Sequence, residues 1–387
     1  MKSSKKFYFS LLTLAYLSVI IRVLLFPDVS WDYENALSLW YNTLKSEGFS
    51  AFSKNFYSYT PTYMYLMYLL TFLPLPSLYS IKLLSAIFDI ILAFVGSKIV
   101  FSLTEDKKLS IISFVTILLL PTVIINSSRW GQFESIYTAF ILLSLFYIIK
   151  EKYFLSFLFY SISFILKLQS IFVLPALGTI LIIKVIKEKD FKLLLLPLLI
   201  PLSYILAIIP SYIAGRDLKD LLLVYFNQTQ FFTELTMSAP NIYTIFPENL
   251  SEKMENIITK LGIIFSLVLT TILAIIFIVK SKKAEDIQKE SILMIFLVFA
   301  LIEPYFLPRM HDRYFYIADI ISVIFGFKFK DKWFVPVATV LASLFGYIQV
   351  RILFGLSMVA IPFGIVIIWF TIFTIKNVFS HQLKVSN

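Results

Sequence analysis

Residues 109–149 read LSIISFVTILLLPTVIINSSRWGQFESIYTAFILLSLFYII. Two apolar runs, 109–126 and 133–149, flank a short polar stretch. Each run is long enough, wound as a helix, to cross most of a hydrocarbon core of roughly 30 Å. Lipid supplies no partners for backbone N–H and C=O groups, so a chain that enters it must satisfy them internally, as helix. Outward from this pair the pattern recurs at 7–26, 77–102, 153–168, 170–187, 191–214, 257–279, 291–307, 313–327, 333–350 and 352–376. The expected fold is therefore all-α. It is a single integral membrane domain over residues 1–387 with about twelve (11–13) transmembrane helices and helices in its extracytoplasmic loops.

Composition agrees. The chain is 59% apolar and only 15% charged, with a mean hydropathy of +0.85, where a soluble domain carries about 25% charged residues. The net charge of +10 does not point to nucleic acid, because the basic residues sit in short clusters between apolar runs, as in cytoplasmic loops. Cysteine is absent, which excludes disulfide and thiolate chemistry. The two histidines, His311 and His381, are too far apart in sequence to suggest a metal cluster. The N-terminal run lacks a small-residue cleavage site and reads as a retained first span.

Seven short segments, 2–6, 98–108, 150–152, 184–192, 280–289, 328–332 and 376–384, hold 21 of the 34 Lys and Arg residues. With all seven cytoplasmic, twelve spans alternate without conflict and both termini lie inside. The protein then belongs in the plasma (inner) membrane, and the long connections 27–60 and 215–256 fall outside. PTYMYLMYLLTFLP at 61–74 is too short to span and is bounded by Pro61, Pro74 and Pro76. Counting it as a span would invert every later loop, so the stretch 61–76 reads as a re-entrant or interfacial helix, with a short true span as the alternative.

The polar residues that need explaining gather on the outer side. WDYEN at 31–35 places Asp32 and Glu34 beside Trp31 and Tyr33. It reads either as a solvated loop in an aromatic belt or as a general base held near the membrane, where an apolar setting raises a carboxyl pKa toward a useful range. NSSRWGQFES at 126–135 carries Arg129, Trp130, Gln132 and Glu134. Arg129 and Glu134 can pair with one another, or the guanidinium can grip a phosphate. Lys167, in KLQS at 167–170, either snorkels to the interface or joins the cations. PRMHDRYFYIAD at 308–319 packs Arg309, His311, Asp312 and Arg313 at a span boundary where positive charge is disfavoured. It is a salt-bridged knot or an anion site. The first part of 215–256, DLKDLLLVYF, is amphipathic and suits helices lying on the outer surface. Asp89 and Glu303 are intramembrane acids without an assigned role.

Walker and dinucleotide motifs are absent from the sequence. Acids beside a basic cavity at the lipid surface therefore suggest a lipid-phosphate substrate. In such a reaction an acid deprotonates an acceptor hydroxyl, and cations stabilise the charge developing on the leaving phosphate. A single displacement inverts the anomeric carbon.

WDYEN, PTVIINSSRWGQFESIYTAFILLSL at 121–145 and MHDRYFYIADIIS at 310–322 together resemble the GT-C glycosyltransferases. They are most similar to the prokaryotic mannosyltransferase family related to the second mannosyltransferase of GPI-anchor biosynthesis. The resemblance covers some 40 residues directly, and members often have Asp in place of Glu134 and Glu in place of Asp312. It implies a multi-span helical fold, a polyprenyl-phosphate sugar donor, a glycan or lipid-linked acceptor, and chemistry on the extracytoplasmic face. By it, Asp32 is the expected base, with Glu34 competing; on the chemistry of the residues themselves, Arg129, Lys167, Arg309 and Arg313 are the candidate donor phosphate contacts. Trp130, Gln132, Glu134, Gln169, Asn241, Tyr243, His311, Asp312 and Tyr314 are expected around the sugar and acceptor. GT-C enzymes differ in their need for Mg2+ or Mn2+, and that requirement stays open. A lipid-linked glycan flippase is the alternative outside enzymes, although no repeat is visible and the charges cluster at one face. A surface polysaccharide polymerase or ligase is the alternative among enzymes.

Overall fold

The structure, a computed structural model, describes residues 2–247, 249–284, 286–348 and 355–379, and it is almost wholly helical. Among the described residues six helices are long and apolar enough to cross a membrane: Lys6–Leu25, Ser77–Thr104, Leu168–Glu188, Phe191–Ile213, Glu252–Ser281 and Ser357–Asn377. A bent pair, Lys107–Leu119 and Pro121–Arg129, makes a seventh if counted as one span. The remaining expected spans appear as shorter or more polar helices: Glu134–Ile149, Tyr153–Leu166, Lys289–Phe306, Tyr316–Lys328 and Phe334–Tyr347. Helices of 13 to 16 residues rise only about 20–24 Å, less than a full hydrocarbon core. Residues 349–354 of the last two expected spans, and His381, lie outside the described residues.

A membrane explains how burial is distributed. Ser291–Tyr305 is buried at every residue and forms the centre of the bundle. By contrast, only 11% of the Lys6–Leu25 window and 6% of the Phe191–Ile213 window are buried. These two apolar helices show nearly all their side chains outward, which water would not tolerate and lipid does.

Two interruptions position the polar residues. The residue before a proline is pushed out of the helical region, and Leu120 accordingly sits at φ −57°, ψ 127°. Pro121 then starts the next helix, where its missing N–H costs nothing, after a bend of 49°. This short helix loosens into a π-helical turn at Ile125–Arg129 and delivers the stretch 129–134 to the bundle end. The second interruption is Lys167, extended at φ −154°, ψ 136° between the Tyr153–Leu166 helix and the 3-10 turn Leu168–Val173.

Pro61–Leu70 forms a ten-residue helix, about 15 Å long, with Met64 and Met67 fully buried. The connection 27–60 is largely helical, with a π-turn at Tyr33–Leu37 and a helix at Ser38–Glu47. The connection 215–256 holds two five-residue helices and a two-residue strand, Thr236–Met237, paired in parallel with Met310–His311. Its last residues already belong to the helix that opens at Glu252, where the Ser251 hydroxyl caps the Met254 N–H.

Several lysine-bearing segments meet at one end of the bundle. Residues from 102–106, 149–151, 286–290 and 327–331, together with Phe379, line an open crevice of about 1150 Å3 there. Lys82 and Ser102 share the Ser77–Thr104 helix, so the region around Lys82 lies about 30 Å from that crevice. The polar stretches near 28–32 and 129–134 gather at the Lys82 end.

Candidate active site at the bundle end opposite the lysines

Two segments are zipped together there. Asp28 pairs with Arg129 at 3.3 Å, the Ser30 hydroxyl donates to the Trp130 carbonyl at 2.7 Å, and the Gln132 side-chain amide donates to Asp32 Oδ2 at 2.5 Å. The zipper is pinned from beneath by Lys82. Its Nζ, on a wholly buried side chain, donates to the carbonyls of Leu25, Phe26 and Asp28 at 3.1, 3.0 and 2.5 Å. Gly131 turns the second segment at φ +71° and lies over the Lys82 stem, which a Cβ would meet at 3.5 Å. Glycine adopts that backbone without the steric cost other residues carry. Tyr347 supports the far side. It stacks on Trp130 with ring centroids 4.6 Å apart, and its hydroxyl accepts from Asn126 Nδ2 at 3.2 Å. Asn126 Oδ1 in turn accepts from the Glu134 N–H at 3.3 Å.

Arg313 completes the group. It comes from the turn Asp312–Phe315, and its Nη1 lies 3.3 Å from Asp32 Oδ2 and 3.7 Å from Asp312 Oδ1, while its Nε lies 3.2 Å from Glu134 Oε1. Glu134 is also paired with Lys167, whose Nζ rests 4.5 Å from the centroid of the Phe133 ring and 5.5 Å from that of Tyr59. Burial grades through the group. The Asp32 side chain is 30% exposed, Arg313 11%, Lys167 1% and Glu134 not at all. Asp32 is thus the carboxylate a ligand reaches first, and the charges behind it fix its place.

The structure sorts the expected site residues. Glu34 is exposed and turned away, so Asp32 alone of the two acids meets the cluster. Arg129 pairs with Asp28 and not with Glu134. Lys167, expected at the donor phosphate, is sealed against Glu134. Arg309, also expected there, sits at φ +63° and donates to the Thr229 carbonyl at 3.2 Å. His311 is tied into the two-residue strand pair, with Phe232 and Tyr314 rings at 4.6 and 5.2 Å. Burial and the charges of Arg313 and Lys167 hold the His311 pKa well below the usual histidine range, so it is a neutral imidazole near pH 7. Gln169 is buried beside Tyr314 with its Oε1 lacking a partner.

Asn241 and Tyr243 stand apart. The Asn241 side chain caps the Tyr243 N–H, and the Tyr243 hydroxyl donates to the Phe306 carbonyl while filling the space above Gly262. They pack the Glu252–Ser281 helix against its neighbour. Burial pushes the Asp312 carboxyl up to about 6, with Arg313 opposing and Asp32 adding to the rise. Burial likewise pushes the Tyr59 phenol up to about 12.

Lys82, Ser30, Asp28, Tyr59, Asn126 and Tyr347 escaped the sequence reading. The dense polar composition of 126–135 pointed at its partners, but nothing local to Lys82 or Tyr347 did. Among the described residues no group of three or more His, Asp or Glu is arranged to hold a metal ion. Three carboxylates near Arg313 face its guanidinium. No protein-family model matches the chain, and no curated protein matches it.

Proposed function

We propose that the chain is an inverting glycosyltransferase of the GT-C type, with twelve membrane crossings. It would move a sugar, mannose by the resemblance, from a polyprenyl phosphate to a glycan or lipid-linked acceptor at the extracytoplasmic face. The reading is supported above all by one contact: Asp32 of the first long connection and Arg313 of the late polar turn lie 3.3 Å apart. An acid and a cation from distant parts of the chain thus share one partly open position at the bundle end away from the lysine-rich crevice.

Asp32 is the base. The acceptor hydroxyl oxygen forms a bond to the anomeric carbon, and its proton passes to an Asp32 oxygen. The bond from that carbon to the phosphate oxygen breaks, and its electron pair leaves with the polyprenyl phosphate. Gln132 and Arg313 hold Asp32 in one orientation, which is what proton transfer requires of a base. Arg129 is the best placed phosphate contact. Its pair with Asp28 leaves both side chains about half exposed, and such surface pairs contribute only about 0–1 kcal/mol. A phosphate can therefore replace Asp28 at small cost. Lys167 acts through Glu134 and Arg313 as a positioning residue.

The test is to incubate purified protein with a panel of polyprenyl-phosphate sugars and candidate acceptors, and to read the product by mass spectrometry and NMR. A new glycosidic bond of anomeric configuration opposite to the donor is the expected result. Labelled lipid crossing the membrane with no new bond would replace this reading with a flippase.

A further inference from the structure

Arg216 follows the Leu199–Ile213 helix, and its backbone N–H closes onto the Ser211 carbonyl at 3.1 Å. The residue is 3% exposed. Its Nη2 donates to Asn55 Oδ1 at 2.7 Å, and the Tyr57 ring covers the guanidinium with its centroid 4.6 Å from Cζ. Nε and Nη1 are buried without a well-formed hydrogen bond, and the buried Tyr57 hydroxyl lies within reach of Arg216 and Ser211. Among the described residues no carboxylate pairs with Arg216.

A guanidinium keeps its proton in a protein. Buried without a counter-charge, it is among the costliest groups a fold can carry. The side chains that meet it are neutral hydroxyls and one amide, and the Asp217 carboxylate next in the chain accepts from the Asp220 N–H at 3.0 Å. Tyr65 and Ser211 share a hydrogen bond at 2.9 Å, and neither brings negative charge. The surroundings therefore call for an anion from outside the chain. The helix that leads into Arg216 carries apolar side chains on its outside: Ile209, Tyr212 and Ile213 are 40%, 55% and 73% exposed. An anion reached through lipid-facing side chains is a lipid headgroup, and phosphate suits a guanidinium best.

We propose that Arg216, with Asn55 and Tyr57, binds the phosphate headgroup of a membrane lipid at a site separate from Asp32. The headgroup enters as the Tyr57 ring turns aside. Two residues further on, Tyr59 covers Lys167 in the same manner, and the Thr60 hydroxyl donates to the Ile165 carbonyl at 2.5 Å. One short segment thus roofs both buried cations, the second belonging to the Asp32 cluster. The phosphate can be a polyprenyl monophosphate or the diester of a bulk phospholipid.

The test reads binding without turnover, so its outcome is independent of glycosyl transfer. The full-length protein in detergent micelles is titrated with farnesyl phosphate, dioctanoyl phosphatidylglycerol and uncharged farnesol. At least one phosphate-bearing probe is expected to bind more tightly than farnesol, and Arg216→Gln to weaken that binding by about tenfold or more, with partial recovery in Arg216→Lys. Preference for farnesyl phosphate assigns the site to polyprenyl lipids, and preference for phosphatidylglycerol to bulk lipid. Diazirine versions of both phosphate probes are also cross-linked to the wild type, which decides the matter if Arg216→Gln does not fold. Label at 53–57 or 211–218 is expected. Label confined to other segments, or a folded Arg216→Gln with wild-type affinity, would overturn the proposal.

Discussion

Arg313 stands among three carboxylates, and its two engaged nitrogens divide the work: Nη1 faces Asp32 and Asp312, while Nε faces Glu134. A lysine has one compact head and cannot make both contacts at once. Arg313→Ala leaves Glu134 with Lys167 alone and is expected to destabilise the protein by about 3–5 kcal/mol. Arg313→Lys is expected to recover much of that stability but little transfer activity. Thermal melts and turnover measured on both variants check this, and equal activity in Arg313→Lys and wild type would contradict it.

Asp312 gives a second prediction at this scale. The unfolded chain releases this proton near pH 4, and the folded chain holds it to about 6 because the carboxyl is buried. Between those values the folded state binds more protons, so stability falls as pH rises and then levels off. Wild type is therefore expected to lose roughly 2–3 kcal/mol relative to Asp312→Asn between pH 4 and 7. A gap in melting temperature that stays constant with pH would show that Asp312 carries no such shift.

Individual roles were only partly legible in the sequence. The polar density of 126–135 and 308–319 marked the two segments that meet. Choosing Asp32 over Glu34 required knowing which way a π-helical turn faces. Lys167 and Glu134 are 33 positions apart, and nothing local indicates that they pair. Asn241 and Tyr243, on an outer connection, were expected around the sugar and acceptor. The structure uses them to pack two helices.

Among the elements, the first helix shows how an apolar segment is attached when it offers little surface for packing. Arg22 Nε and Nη2 donate to Asp89 Oδ2 at 3.0 and 2.9 Å, and Nη2 also donates to the Leu118 carbonyl at 3.0 Å. The Ser127 hydroxyl reaches the same Asp89 oxygen at 2.6 Å. This network joins four helical segments, and it supplies a partner for Asp89, an intramembrane acid that had no assigned role. Breaking a buried pair strands a charge, whereas removing both partners does not. Arg22→Leu and Asp89→Leu are each expected to cost about 3–5 kcal/mol, and the double variant less than either. Melts of the three variants in one detergent test this, and simple additivity would count against the pair. At Gly131, alanine is expected to cost about 1–2 kcal/mol through the left-handed backbone and to loosen Asp32 by shifting the 28–32 zipper.

Proline placement made part of this legible. Leu120–Pro121 carries the signal of a boundary inside the run 109–126, which was read as one span, and the chain bends there by 49°. The break at Lys167 has no such marker. Its extended backbone follows from tertiary pairing with Glu134, which overrides the local apolar pattern.

For the molecule as a whole, the length of the apolar runs and composition sufficed to read an all-helical membrane protein. Crossing number is harder to read, because helices such as Glu134–Ile149 and Tyr153–Leu166 are short and packed among others. Their apolar runs do not reveal where the lipid begins. The absence of cysteine gives a clean background for testing topology. Ser50→Cys, on the connection expected outside, should react with an impermeant maleimide on intact cells, and Lys107→Cys only after permeabilisation. Labelling of both on intact cells would break the proposed orientation.

The account rests most directly on Asp32 as the group that takes the acceptor proton. Its measurement is the turnover of purified, correctly folded Asp32→Asn with a polyprenyl-phosphate sugar that the wild type uses. The prediction is a loss of about 10^2- to 10^4-fold with donor binding retained, and turnover at the wild-type rate would contradict it.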